Sequence, residues 1–204
     1  MRPVNKIKAT CALFAVILAI GSVACSTPPT VVSKNAAPAS SSGSTGALQF
    51  KTPDGWSSET HPPGMRVAQY QLPAAEGDSE PASLIVYYFG AGQGGSVQAN
   101  LDRWTGQIQQ PNGASSRDKA KTESLTVNGM NVTLLDVSGT YAGGDMGGGA
   151  GQSKPNFRMR AGVIESPKGG YFIKLVGPEK TVSKWDDSFM AFIKSAEFSS
   201  GSKG

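Results

Sequence analysis

Residues 122–141 read TESLTVNGMNVTLLDVSGTY, and this stretch decides the fold class. Two strand-like runs, 122–127 and 130–141, flank Asn128-Gly129, the dipeptide that best supplies the two positive φ angles of a type I′ turn. The stretch therefore predicts an antiparallel hairpin. A second hairpin is predicted from residues 157–165 and 171–176 around the turn at 167–170.

Strand patterns also precede these hairpins. Residues 48–50 begin the folded pattern, and residues 65–72 alternate apolar and polar side chains. Residues 83–89, SLIVYYF, are β-branched or aromatic nearly throughout, which predicts a central strand covered on at least one face. A short strand or tail at Phe198 closes the pattern.

Two helices are predicted from apolar spacing. The first is capped by Ser96 and ends at 111–113, and its apolar residues fall at intervals of four, three and four: Val97, Leu101, Trp104 and Ile108. The second begins near Pro178, and one face carries Val182, Trp185, Phe189, Phe192 and Ile193. Antiparallel strands with helices at these points predict an α+β fold, a twisted, mainly antiparallel sheet flanked by two helices. Trp56, Trp104 and Trp185 are expected to pack the helices on the sheet.

The chain divides into four parts by composition. Residues 1–24 read as a signal peptide, with a basic start, an apolar run and a small-residue end. Residues 25–46 contain Cys25 and a tether rich in Ser, Thr, Pro, Ala and Gly, which as a flexible coil spans roughly 25 Å. Residues 47–199 form a single α+β domain, and residues 200–204 are expected to be a disordered tail.

Cys25 is a candidate lipidation site. Small residues precede it and the polar run Ser26-Thr27-Pro28-Pro29 follows, as in a bacterial lipobox, although that motif prefers a Leu-like residue where Ser22 stands. The alternative is ordinary signal-peptidase cleavage after Ala24. Cysteine counting favours the lipid, because Cys11 leaves with the signal peptide and Cys25 would otherwise be an odd exposed thiol in an oxidising compartment.

The charge balance argues against nucleic-acid binding. The whole chain has a formal charge of +4, but removing Arg2, Lys6 and Lys8 leaves 16 Lys and Arg against 15 Asp and Glu. Nucleic-acid binders keep a basic excess, because neutralising phosphates supplies most of their affinity. We therefore expect no nucleic-acid partner.

A glycine-rich turn precedes the first predicted helix. Gly90, Gly92 and Gly95 match G-x-G-x-x-G, but no second parallel strand with a terminal acid follows, so no nucleotide cofactor is expected. The remaining hypothesis is a small-anion or ligand site at Gly92, Gly94, Gly95 and Ser96, formed by the N–H groups at the helix start. The glycine-rich residues 143–151 fail the Walker pattern at Lys154 and are expected to form a mobile loop.

Candidate catalytic chemistry is sparse. His61 is the only histidine, and no G-x-S-x-G string offers it a serine nucleophile. The mature chain also has too few His and Cys residues for a zinc site. We expect neither catalytic nor metal-binding residues, and no enzyme activity. The alternatives are a small hydrolase or transferase using His61, and a soluble periplasmic carrier with an apolar cavity beneath Trp104.

Several strings resemble a known group. Residues 50–56, FKTPDGW, the strand at 171–176 and the helix ending at 192–195 resemble the PsbP-like α/β/α sandwich group, which includes bacterial envelope lipoproteins of the DcrB type. The similarity covers most of residues 47–199. Residues 88–95 and 177–182 also resemble a set of uncharacterised bacterial exported proteins. The resemblance implies the same fold and a non-catalytic binding or assembly module, and it carries no functional residue across.

These observations together predict an exported, lipid-anchored protein of the cell envelope. Its expected partners are the membrane, through the lipid, and an unknown envelope protein or small ligand. Ser26 follows the cysteine in place of the Asp that retains many lipoproteins at the inner membrane, so the outer membrane is favoured in a host with two membranes.

Overall fold

The computed structural model describes residues 47–143 and 153–198. The predicted signal peptide, Cys25, the whole tether to residue 46, residues 144–152 with most of the glycine-rich segment, and residues 199–204 with the predicted tail lie outside these residues. The strands are β1 Leu48–Gln49, β2 Ser57–Ser58, β3 Arg66–Leu72, β4 Ala82–Tyr88, β5 Ile108–Gln109, β6 Lys121–Val127, β7 Met130–Tyr141, β8 Lys154–Ser166, β9 Gly169–Pro178 and β10 Glu197–Phe198. The helices are α1 Val97–Thr105, α2 Ser116–Lys119, α3 Glu179–Lys184 and α4 Asp186–Lys194.

Eight strands form one antiparallel sheet. The first six strands follow the order β2-β3-β4-β9-β8-β7. The edge of β7 that faces away from β8 pairs with β6 along residues 130–136 and with β5 at residues 140–141. β1 and β10 form a separate two-stranded pair. The central strands β4, β9, β8 and β7 are rich in apolar residues on both faces, which is why helices cover both sides.

The core has two layers, one on each face of the sheet. On the first face, Phe189, Phe192 and Ile193 of α4 pack on Leu84, Leu134, Ile173 and other side chains of the central strands. On the second face, Leu101 and Trp104 of α1 pack on Tyr87, Leu135, Met159 and Phe172. The predicted α+β class is confirmed as a mostly antiparallel sheet between helices. Among the described residues, no helix is long and apolar enough to span a bilayer.

Both predicted hairpins are present. Asn128 has φ 49° and Gly129 has φ 80°, so each residue of the turn adopts the left-handed conformation that the dipeptide favours. Val127 faces Met130 across this turn, and the register continues to Asp136 opposite Lys121. The β8–β9 turn is tighter than predicted, because Ser166 pairs directly with Gly169.

Two predicted helix boundaries are wrong. α1 ends at Thr105, and Ile108 lies in β5, where it pairs with Tyr141 and still packs on the second face. The predicted final helix breaks at Trp185, which ends α3 and precedes α4. At this break the Trp185 Nε1–H donates to the carbonyl of Pro73 at 2.8 Å. Trp185 is half-buried, whereas Trp56 and Trp104 are buried as expected.

The sheet has two different ends, which we name by a residue at each. The Leu48 end holds the β1–β10 pair, the turns at 128–129 and 167–168, and the segments 60–65 and 89–96. The Glu179 end holds the segments 73–81 and 110–120 and the start of α3. The pairing of β8 with β9 runs over ten residues of β8, Phe157–Ser166, so the two ends lie roughly 30 Å apart at 3.4 Å per residue.

A charged groove at the Glu179 end

A polar groove of about 380 Å³ opens at the Glu179 end. The strands β6, β7 and β8, the start of α3 and the segment from Gln110 to Lys119 enclose it. Its lining is mostly charged or polar: Gln110, Lys119, Lys121, Asp136, Val137, Ser138, Arg158 and Glu179. A neighbouring groove of about 550 Å³ shares Gln110 and is lined largely by small residues of 105–117, with an exposed Arg117–Asp102 ion pair of 3.0 Å.

The groove follows from a change in the strand pattern. Along the first face of β7 the side chains run Val132, Leu134, Asp136 and Ser138, so the apolar series turns polar halfway along the strand. β8 does the same in reverse, from Arg158 and Arg160 to Gly162 and Ile164. Because β7 and β8 are antiparallel neighbours, the polar halves meet at one end of the sheet.

Arg158 and Asp136 form the centre of an ion-pair network. Arg158 Nε and Nη2 donate to the two carboxylate oxygens of Asp136, each at 2.8 Å. Arg160 Nη1 lies 3.4 Å from the same carboxylate. The paired fork geometry fixes the angle between guanidinium and carboxylate, so β7 and β8 hold a defined spacing here.

The network also binds the sheet to the α3–α4 junction. Arg160 Nε lies 2.8 Å from Asp186 Oδ1 in the first turn of α4, and Arg158 Nη1 donates to Ser183 Oγ at 3.0 Å. The Arg160 guanidinium also lies 5.4 Å from the ring centroid of Phe189, within cation–π range. The break at Trp185 therefore places Asp186 where it can neutralise a buried arginine.

The charges of the network shift one another's pKa values. Burial alone would raise the pKa of Asp136, but the hydrogen bond from Arg158 and the charges of Arg158, Arg160 and Lys121 together hold it below the ordinary 3.8. The hydrogen bond to Asp136 is the largest cause of the raised pKa of Arg158. Asp136 is thus an anion, and Arg158 a cation, across the physiological pH range.

Two lysines of the groove lie outside this network. Lys119 ends α2 and Lys121 begins β6, and both side chains are exposed. Within residues 47–143 and 153–198, neither ammonium has a carboxylate within ion-pair distance. The groove therefore presents two lysines, together with the Glu179 carboxylate that accepts from Ser138 Oγ at 3.0 Å, beside the paired charges of the network.

The predicted anion turn lies at the other end of the sheet. Gly92, Gly94 and Gly95 all have positive φ, and Ser96 Oγ accepts a hydrogen bond from Ala99 N at 3.2 Å, which caps α1. The side-chain amide of buried Asn100 donates to the carbonyls of Gly94 and Ser96 at 2.9 and 2.8 Å. These contacts brace the turn, and anion binding there stays a prediction.

The other predicted or buried polar residues are separate from the groove. Among the described residues, His61 Nδ1 contacts the Pro62 carbonyl at 3.2 Å, in an exposed loop. No cluster of three metal-ligating side chains occurs within the described ranges. The space beside Trp104 is about 10 Å³, room for one water, so the second-face core is solid there.

Lys174 is a buried charge that the pattern of β9 did not reveal. It is 5% exposed on the second face, and its ammonium lies 3.2 Å from Gln107 Oε1 and 3.1 Å from the Tyr141 hydroxyl. The strand pattern around Lys174 gives no sign that its side chain is buried, because a lysine in a strand usually points to solvent. The ion-pair network was also missed, although its signal, Asp136 in β7 and arginines at the alternate positions 158 and 160 of β8, is present in the sequence.

Comparisons with known proteins give similarities of fold. The sequence matches no protein-family profile and no curated protein. Solved structures with a similar fold include a Pseudomonas aeruginosa protein of unknown function, at 13% identity and TM-score 0.43, over 74% of this chain and 95% of that one. They also include cyanobacterial PsbP from Synechocystis, at 14% identity and TM-score 0.43, over 79% of this chain and 99% of that one. At such scores nothing about function follows.

Proposed function

We propose that this protein is an exported envelope lipoprotein of the DcrB type, anchored through a diacylglycerol on Cys25, whose domain acts as a non-catalytic binding or assembly module. The observation that carries the binding role is the groove at the Glu179 end, where Lys119 and Lys121 stand exposed beside a rigid paired network. The partner is an envelope component that offers an acidic group to these lysines.

The network suits a docking surface better than a reacting one. Arg158 and Arg160 form ion pairs with Asp136 and Asp186. These pairs join β7, β8 and α4 to one another. A surface held in one geometry loses little conformational entropy when a partner binds. The exposed lysines add attraction for an acidic partner and speed its association, an effect that salt weakens.

The anchor proposal has a direct test. The intact mass of the N-terminal peptide is measured from membrane fractions of cells that express the wild type or Cys25→Ser. A diacylglycerol on Cys25 that is absent from the variant supports the anchor. An unmodified chain that begins at Cys25 and partitions with the soluble fraction overturns it, and with it the outer-membrane location proposed for a host with two membranes.

The binding proposal is tested by placing a photo-crosslinking residue at position 119 in cells, with position 51 as the matched control. Lys51 is also an exposed lysine but lies next to β1, away from the groove. We expect one defined adduct from position 119 and its loss in Lys121→Glu. Adducts that are equal from both positions, or that persist in Lys121→Glu, contradict a partner in the groove.

A separate measurement of turnover tests the proposed non-catalytic role. Turnover of any substrate by the purified domain, abolished by one point substitution, overturns the non-catalytic role. If such turnover survives His61→Ala, it does not use that imidazole.

A further inference from the structure

The chain enters the domain at the Leu48 end, close to the start of β3. Leu48 N–H donates to the Tyr171 hydroxyl at 3.1 Å, and the Tyr171 ring stacks on Tyr88 with centroids 4.7 Å apart. Tyr88 N–H in turn donates to the carbonyl of Met65 at 2.8 Å. Three successive contacts thus connect Leu48, at the start of the domain, to Met65.

This corner carries the exposed large apolar side chains of the described residues. Met65 is 52% exposed and Val67 is 45% exposed, whereas the other large apolar side chains are buried or half-buried. Val67 lies at an irregularity in the β3–β4 register, between Arg66 and Ala68. A bulge at this position discourages another strand from pairing with β3, so the apolar pair is unsuited to sheet extension.

Charge is distributed unevenly between the two ends. The four connecting segments at the Leu48 end, 60–65, 89–96, 128–129 and 167–168, contain a single Lys, Arg, Asp or Glu, which is Lys168, and one histidine, His61. The segments at the Glu179 end are rich in charge: Glu76, Asp78, Glu80, Arg117, Asp118, Lys119, Glu179 and Lys180. The connections at the Leu48 end thus carry no Asp or Glu, and Lys168 stands at the tip of the β8–β9 turn, although Glu165 of β8 and Glu197 of β10 are exposed at the same end.

We propose that the Leu48 end rests on the lipid surface, with Met65 and Val67 in the interfacial region and Lys168 against anionic headgroups. This inference rests on the lipid anchor proposed above. The predicted tether, residues 26–46, is expected from its composition to span roughly 25 Å, so an anchored domain would meet its own membrane at a high effective concentration. A small apolar contact that would not hold a free protein on a bilayer then suffices to orient a tethered one. The charged groove faces away from the membrane.

The test uses the full, lipidated chain in vesicles of phosphatidylethanolamine and phosphatidylglycerol that contain a nitroxide-headgroup lipid. With Cys25 blocked by the lipid and Cys11 removed with the signal peptide, Met65→Cys supplies the one thiol for an environment-sensitive dye. Ala114→Cys, exposed at the Glu179 end, is the matched control. We expect the dye at 65 to lose roughly half its emission, because dye and quencher then share the interface, while the dye at 114 loses little.

Adding Val67→Asp to the labelled Met65→Cys protein is expected to restore most of the emission, because a carboxylate opposes insertion next to anionic lipid. Thermal unfolding of the same variants checks that the exposed substitutions leave the fold intact. Equal emission from 65 and 114 in a protein whose Cys25 is lipidated overturns the orientation and leaves the anchor standing. Absence of lipid on Cys25 overturns the anchor itself.

Two other partners could contact Met65 and Val67, a membrane protein or a second copy of this chain, and each gives a distinct result. Quenching at 65 that appears in native membranes but not in pure vesicles points to a membrane protein as the partner and overturns the lipid contact. Quenching in vesicles that is accompanied by a disulfide between the 65 positions of two unlabelled copies points to self-association and overturns it as well.

Discussion

Arg158 in β8 and Asp136 in β7 share two parallel hydrogen bonds of 2.8 Å across the sheet. They are diagonal neighbours, since Asp136 pairs directly with Arg160 and Arg158 pairs with Ser138. Asp136 therefore lies within reach of both arginines. Removing its charge should be costly, because two guanidinium groups would then depend on Asp186 alone.

Asp136→Asn is expected to lower the free energy of unfolding by about 2 kcal/mol, less than a fully buried pair would lose, because both side chains keep some exposure to water. Urea unfolding measures the change. The control Asp187→Asn removes an exposed charge from the same first turn of α4 and should cost under about 0.5 kcal/mol. Equal effects of the two substitutions would show that the network does not stabilise the fold.

Acid should weaken the contribution of Asp136 in a defined direction. Its pKa in the folded protein is below 3.8, so as the pH falls the unfolded chain takes up the proton first. The stabilisation is therefore fully present above the unfolded pKa and is lost as the pH falls towards the folded one. The difference in unfolding free energy between wild type and Asp136→Asn should be constant from neutral pH down to about pH 5 and shrink below it. A difference that grows in acid contradicts this assignment.

Gly94→Ala should destabilise the protein far more than Gly92→Ala. Both residues have positive φ, but a Cβ at Gly94 would lie 2.5 Å from Phe172 Cε2, whereas a Cβ at Gly92 meets nothing within 4 Å. We expect a loss of about 1 kcal/mol at Gly92 from the backbone alone and about 3 kcal/mol at Gly94. Thermal unfolding of the two variants gives the comparison, and similar losses would mean that the turn relaxes around Phe172.

Thr181→Val should release the 73–81 segment. The buried Thr181 hydroxyl donates to Asp78 Oδ2 at 2.7 Å and accepts from Ala75 N–H at 2.9 Å. Valine keeps the shape but satisfies neither group, so a loss of about 1–2 kcal/mol is expected. Hydrogen exchange at the Ala75 amide should accelerate, and Thr126→Val on the exposed face of β6 is the control. Unchanged protection of Ala75 would show that Asp78 holds the segment without Thr181.

The local patterns in the sequence were sufficient for most of the architecture. Asn128-Gly129 predicted its turn because few other dipeptides accept two positive φ angles, and the spacing of Phe189, Phe192 and Ile193 predicted the buried face of α4. The predictions that failed concern contacts between residues that are distant in the sequence. At the break, Trp185 donates a hydrogen bond to Pro73, more than a hundred positions away, and helical spacing contains no information about such a contact.

The groove could not be predicted from local sequence patterns for the same reason. The charges at Asp136 and Arg158 were visible as polar steps in two predicted strands, yet only the register of β7 on β8 makes them neighbours. Asp186 joins them because of the break at Trp185. Ile108 was misplaced for a simpler reason: its spacing fits helix α1, but the chain turns at Gly106 and reaches the same core as a strand.

The pairing of Leu48 with Phe198 has a mechanical consequence. Any pull on the chain ahead of Leu48 is received first by the two-residue ladder, the hydrogen bond to Tyr171 and the buried Leu48 side chain, before it reaches the long strands. Hydrogen bonds in so short an antiparallel pair open one after another, so β1 would peel away at low force while the eight-stranded sheet stays closed. We therefore expect β1 to detach first under force. The chain between the anchor and the domain would then become longer before the core begins to unfold.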